Sequence, residues 1–330
     1  MIQIKKYNKQ INENLVINKY LKKLNFNKSS TFNFENDGAV LKVPKNKEIV
    51  VSHDTLIENV HFFKNDLPQS IAAKAIRTNL SDLASMGAQP YAYSMSLSLT
   101  KNITKKWLDQ FTKFLFREQN KFNFFLLGGD IVNSKYLSIS ITIFGLTKKG
   151  KCITRSGSKN NDDIWVSGNI GDSYIGLQIL KKNISINDRK IQKHFINSYY
   201  FPEPPTYIVS QLAPLMNSAI DISDGFYGDL EKILINSKKG AHIMISSIPF
   251  SKHTNSLINN NLITLKEVLT GGDDYQLIFT SNSVNRKKII QLSNNYKCKL
   301  TKIGRVNRLK KIEFQPNKIR INRKNYIHII

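Results

Sequence analysis

The chain has 330 residues and a formal net charge of +25, from 49 Lys and Arg against 24 Asp and Glu. An apolar fraction of 41% with 10% aromatics suffices for a packed core and excludes an intrinsically disordered chain. No apolar run reaches the roughly 18–20 residues of a membrane-spanning helix, the N-terminus lacks the apolar stretch of a secretion signal, and two cysteines, Cys152 and Cys298, cannot make a disulfide framework. A reducing, cytoplasmic compartment is the expectation.

In chain order, Ile11 to Leu24 is amphipathic and predicts a helix, and Ala39 to Val43 reads as a strand stopped by Pro44. Ile49 to Ser52 restarts as a strand that ends at His53-Asp54. Ile71 to Met86 carries apolar residues at helical spacing and stops at Gly87. Tyr91 to Leu99 alternates as a strand, and Lys105 to Gln119 is a helix with Trp107, Leu108, Phe111, Phe114 and Leu115 on one side. Phe124 to Leu127 is a buried strand running into Gly128-Gly129-Asp130, followed by a strand from Tyr136 to Leu146. The polar, turn-rich stretch 148–163 marks a domain boundary, in keeping with roughly 100–200 residues per domain. Beyond it come a strand at Ile164 to Ser167, a helix from Ser173 to Leu180, an acidic loop at Ala219 to Gly225 and a helix to about Asn236. Strands at His242 to Ile245 and Tyr275 to Phe279 and a tail of short strands complete the pattern of an α/β protein.

A pI near 9.9 is the footprint of a phosphate-backbone binder, which keeps a basic nucleic-acid-binding protein as one reading. Lys outnumbers Arg throughout and rises together with Asn and Ile, however, the bias of an AT-rich coding sequence rather than of a selected basic face. The scarce acids are more telling. They recur beside glycine or serine in Asn36-Asp37-Gly38, Ser52-His53-Asp54, Asn79-Leu80-Ser81-Asp82, Gly128-Gly129-Asp130, Asp221-Ile222-Ser223-Asp224-Gly225 and Gly271-Gly272-Asp273-Asp274.

Each of these is ordinary turn or cap chemistry by itself: Ser81-Asp82 could be the polar surface of a helix, and Asp221 or Asp224 an N-cap. Together they predict a pocket of carboxylates whose repulsion needs cations, of the kind that holds Mg²⁺ and polyphosphate. Ser52, His53 and Asp54 are adjacent in sequence, which is not the spatial relay of a hydrolase triad. No P-loop and no kinase glycine loop is present. The Gly128-Gly129 backbone could approach a phosphate, and Arg155 is a candidate for a bidentate phosphate contact.

The ordered segments VSHDTLIENVHF (51–62), NLSDLASMGAQP (79–90), LLGGDIV (126–132), TRSGS (154–158), GDSYIGLQIL (171–180), AIDISDGFYGDL (219–230), GGDDYQLIFT (271–280) and IGRV (303–306) resemble thiamine-monophosphate kinases. These belong to the aminoimidazole-ribonucleotide-synthetase-like ATP-binding superfamily. The resemblance implies a two-domain α/β (α+β) fold of that type, with residues 1–150 as an N-terminal ATP/Mg-binding and dimerising domain and 151–330 as a C-terminal domain. It implies a homodimer that takes ATP, several Mg²⁺ ions and thiamine monophosphate, with no membrane and no specific nucleic acid as partner. Asp37, Asp54, Asp82, Asp130, Asp221 and Asp224 match the family's metal ligands, and Ser52 adds an oxygen beside Asp54. Gly129, Asp130, Arg155 and Ser223 match nucleotide contacts, and His61, Asp273 and Tyr326 match acceptor contacts.

Three segments depart from the family pattern. Glu35-Asn36-Asp37 keeps one acid of a Gly-Asp-Asp turn, and Asp273 offers a carboxylate one methylene shorter than the family's Glu. Tyr326, in 323–329, lacks the aromatic neighbours of the family's C-terminal motif. A sister enzyme of the purine-pathway synthetase type would share the metal loops and differ in its acceptor pocket.

Overall fold

The computed structural model describes residues 11–316, which leaves Tyr326 outside the described residues. Among the described residues ten strands form two sheets. The first holds β1 (Lys47–Ile57), β2 (Gln89–Leu99), β3 (Phe125–Asn133) and β4 (Ser138–Lys148) in the order β1-β4-β2-β3. The second holds β5 (Asp163–Ser167), β6 (Ser218–Asp221), β7 (Gly240–Met244), β8 (Leu277–Ser281), β9 (Leu300–Asn307) and β10 (Ile312–Gln315) in the order β10-β7-β9-β5-β8-β6. All pairs in the second sheet are antiparallel except β10 with β7.

The chain forms two compact units. The first comprises residues 11–43, 53–76 and 91–143, the second 44–52, 77–90 and 144–316. In the first, β4 buries Ile139, Ile141 and Ile143 at every second position, which is the strand period with one face inward. The Lys105–Phe122 helix starts at the cap Thr104, whose hydroxyl accepts from Trp107 N–H, and it buries Leu108, Phe111 and Leu115. Its Gln119 accepts the Tyr93 hydroxyl of β2 at 3.2 Å.

In the second unit, β5 lies between two cores. Ile164 and Val166 pack with Phe226, Leu230 and Ile233 of the Phe226–Asn236 helix, whereas Trp165 packs with Leu212, Phe279 and Ile289. The strand is buried on both faces, which explains its continuous apolar run. Asp163, buried at its start, is held bidentately by Arg286 at 2.8 and 2.9 Å. Among the described residues no helix is long and apolar enough to cross a membrane.

Several expectations give way. Ala39 to Val43 makes no strand: Val40 and Val43 are exposed, so the run's β-propensity finds no buried face to fill. The strand expected to end at Asp54 continues to Ile57, and the Phe125 strand runs through Gly128-Gly129-Asp130 to Asn133. Asp54 and Asp130 therefore lie inside strands rather than at their ends, whereas Asp82 lies inside the Pro68–Ser85 helix, as the 71–86 periodicity predicts. The Arg189–Tyr200 helix, capped by Asp188, has no counterpart in the sequence reading.

Candidate active site

In the second unit the acids are brought to polar partners one by one. β6 ends at the buried Asp221, whose Oδ2 accepts the Ser81 hydroxyl at 2.9 Å. Ser81 is itself fully buried, so the pair is internal and Ser81-Asp82 is not merely a polar helix surface. The next residue on that helix, Asp82, accepts the Ser52 hydroxyl of β1. Loop 154–158 runs beside β6, with Ala219 N–H donating to Thr154 O at 3.1 Å, and Arg155 stands exposed on it.

The Asp221–Gly225 turn and the Gly271–Asp274 turn are stitched together. Asp273 N–H donates to Ser223 O at 2.9 Å and Tyr275 N–H to Ile222 O at 2.8 Å. Gly272 makes the approach possible: a Cβ there would lie 2.1 Å from Ser223 O. Asp273 sits at φ 69° and accepts the Tyr275 hydroxyl at 3.0 Å. The Phe226–Asn236 helix is entered through Gly225 without a side-chain cap, so Asp224 does not serve as its N-cap.

Asp274 turns the other way. Fully buried, it accepts Gly171 N–H at 2.7 Å and Ser173 N–H at 3.3 Å, and burial pushes its carboxyl well above the usual carboxylate range. It joins Asp172, His194, Gln276 and Lys299 along a cavity of about 570 Å³ within this unit.

In the first unit, Asp130 is exposed on β3, which pairs in parallel with β2 so that Gly129 faces Met95 and Asp130 faces Ser96. A Cβ on Gly129 would meet Met95 O at 1.7 Å, so only glycine fits. Asp37 is exposed in a bend, and Asp54 is half-buried in β1. His61 closes the 58–62 turn by accepting Ile57 N–H on Nδ1 at 3.1 Å. Among the described residues no three carboxylate, imidazole or thiolate groups form a cluster able to hold a metal.

Two residues that sequence reasoning missed belong to this site. Asp229 and Lys232, on the first turns of the Phe226–Asn236 helix, both reach Asp224 or its main chain. The signal was present in the i,i+3 spacing of Asp229 and Lys232, five and eight residues after Asp224.

The AIR synthase related protein N-terminal domain matches residues 35–147. The thiamine-monophosphate kinase of Buchnera aphidicola subsp. Schizaphis graminum is 38% identical over 298 residues, 89% of this chain and 91% of the relative. The chain belongs to the thiamine-monophosphate kinase family. Among solved structures, the thiamine-monophosphate kinase of Stenotrophomonas maltophilia K279a superposes with a TM-score of 0.79 at 29% identity, covering 86% of this chain and 90% of the other. AaThiL complexed with AMPPCP and TMP superposes with a TM-score of 0.74 at 26% identity, covering 86% and 88%. The two-domain synthetase-like α/β fold expected from the sequence is the fold of these thiamine-monophosphate kinases, and the family match sets aside a purine-pathway synthetase.

Proposed function

We propose that the protein transfers the γ-phosphoryl group of ATP directly to the phosphate of thiamine monophosphate, giving thiamine diphosphate and ADP. The observation that carries this reading is the match to thiamine-monophosphate kinases along nine-tenths of both chains. The stitched Asp221–Gly225 and Gly271–Asp274 turns supply chemistry suited to it.

In the transfer, an oxygen of the acceptor phosphate bonds to the γ-phosphorus as the bond to the β–γ bridging oxygen breaks, and ADP leaves with that electron pair. The acceptor is already anionic at neutral pH, so no general base and no covalent nucleophile are assigned. The barrier is repulsion between two anions, and the protein's task is positioning and charge compensation.

Nucleotide contacts are assigned to Gly129, Asp130, Arg155 and Ser223. Gly129 is exposed on β3, and the exposed Arg155 guanidinium matches a phosphate bidentately. His61, Asp273 and Tyr326 are assigned to the acceptor. The Tyr275 hydroxyl bond fixes the direction of Asp273, offsetting in part its shorter reach.

The donor set of Asp37, Ser52, Asp54, Asp82, Asp130, Asp221 and Asp224 consists of hard oxygens alone, and its Ser52–Asp82 and Ser81–Asp221 pairs hold two of the carboxylates in fixed directions. That chemistry fits Mg²⁺. When bound, Mg²⁺ ions offset negative charge on the phosphates. The reading extends to a homodimer, to 1–150 and 151–330 as its N- and C-terminal domains, and to the cytoplasm, in keeping with two free thiols.

The test mixes the protein with Mg-ATP and thiamine monophosphate and follows thiamine diphosphate by chromatography. The expected result is stoichiometric thiamine diphosphate and ADP. Turnover of another phosphate acceptor with no thiamine diphosphate would overturn the assignment.

A further inference from the structure

Asp224 already has a cation. Its Oδ2 accepts from the Lys232 ammonium at 2.5 Å, and the same ammonium donates to Asp229 Oδ1 at 2.8 Å. Asp229 is fully buried, and its other oxygen, Oδ2, accepts Ser223 N–H at 3.1 Å and Asp224 N–H at 3.0 Å. One carboxylate therefore fastens both the main chain of the Ser223-Asp224 turn and the ammonium above it. The two half-buried partners differ from it: Lys232 keeps 27% and Asp224 37% of the side chain in solvent.

A buried carboxylate without a counter-charge is costly, so the Asp229–Lys232 contact is the firm one. The Lys232–Asp224 contact, open to water, is the weak one. We propose that Lys232 is a built-in counter-ion for Asp224, which a divalent cation displaces from that carboxylate while Asp229 retains the ammonium. The inference rests on the reading of Asp224 as a metal ligand.

Its physical consequence is a trade. In the metal-free protein the ammonium holds Asp224 in a fixed direction and relieves repulsion with Asp229. The entering cation then competes with a local charge. Because the ammonium gives up one of its two carboxylates and keeps the other, the competition is set by one partly exposed ion pair. It weakens cation affinity by about two- to fivefold.

The experiment measures Mn²⁺ binding to the full, nucleotide-free chain by the electron-paramagnetic-resonance signal of free Mn²⁺, with melting in EDTA followed by circular dichroism. Lys232→Met is expected to bind Mn²⁺ about two- to fivefold more tightly than the natural chain, to melt lower in EDTA, and to gain more from added Mn²⁺. Should Lys232→Met fail to fold, the Asp229→Asn/Lys232→Met pair removes the buried charge along with its partner and carries the same expectation for Mn²⁺ binding. Asp224→Asn is expected to lose the tightened site, and adding Lys232→Met to it to change nothing. Unchanged or weaker Mn²⁺ binding in a folded Lys232 variant, with Asp224→Asn still losing a site, overturns the role of Lys232 alone. Intact Mn²⁺ binding in Asp224→Asn removes Asp224 as a ligand, and this proposal with it.

Discussion

The two units carry acids of the same kind in opposite conditions. In the second, Asp221 is buried on a serine hydroxyl, Asp82 accepts another, and Asp224 meets an ammonium, so each carboxylate has a direction before any ligand arrives. In the first, Asp37 and Asp130 are exposed, Asp130 next to a glycine that approaches Met95 too closely for a Cβ. Substitution in the second unit must therefore disturb the fold and the chemistry together, whereas in the first the two can be separated.

The sharpest break of that contrast is Asp130→Asn. The side chain is exposed and its strand is paired through the main chain, so the melting temperature is expected to move by less than about 2 °C. Turnover is expected to fall by about 100-fold or more, since on the proposed reading a carboxylate that would hold Mg²⁺ is lost. Near-normal turnover in the folded variant would take Asp130 out of the site and leave the first unit without its strongest claim to it.

Gly272→Ala asks the opposite of the second unit. A methyl group 2.1 Å from Ser223 O forces the two acidic turns apart. A loss of about 2–3 kcal/mol in chemical denaturation is expected, with activity falling alongside. A loss below about 0.5 kcal/mol would mean that the stitched turns yield easily and are no more fixed than the exposed acids.

How much of this was legible follows the same division. The Pro68–Ser85 helix and its stop at Gly87, the alternation of β4 and the run of β5 were readable because periodicity reports a buried face directly. Asp54 and Asp130 were recognised as chemically important but placed at strand ends, whereas the helical spacing of 71–86 already held Asp82. Neighbouring glycine and serine signal turns locally, and only the β2–β3 pairing keeps Gly128 to Asp130 in a strand. Asp229 and Lys232 escaped because an acid and a lysine on the first turns of a helix also describe an ordinary solvated face. What distinguishes Asp229 is burial, a property of packing that spacing does not carry. Asp274 escaped for the same reason, since beside Asp273 it read as half of an acidic pair although its carboxylate faces the main chain of 171–173.

Ser81→Ala probes the milder end of the second unit's order. It withdraws the hydroxyl donor from the buried Asp221 carboxylate and leaves the helix intact. A cost of about 1–2 kcal/mol is expected in urea or guanidinium unfolding. An unchanged midpoint would show that Asp221 is held by its other contacts and that the serine pairs are incidental to its direction.

The smallest effect belongs to the cavity of the second unit and reads out in pH. His194 Nε2 lies 2.9 Å from Asp172 Oδ2, and that hydrogen bond raises the affinity of the ring for its proton above the usual histidine value, against desolvation and the charge of Lys252. A group with a raised folded-state value contributes stability that is complete below the unfolded value of 6.5 and is lost as pH rises through the folded one. With its ring 37% exposed, solvent screening keeps that contribution well under about 1 kcal/mol. His194→Gln keeps a donor for Asp172 and removes the titration. The stability advantage of the natural chain over the variant should therefore be largest below pH 6.5 and shrink toward pH 8 in a series of urea unfolding curves. An advantage that stays constant with pH would mean that Asp172 orients the neutral ring, and that the second unit's fixed carboxylates work through hydrogen-bond direction alone.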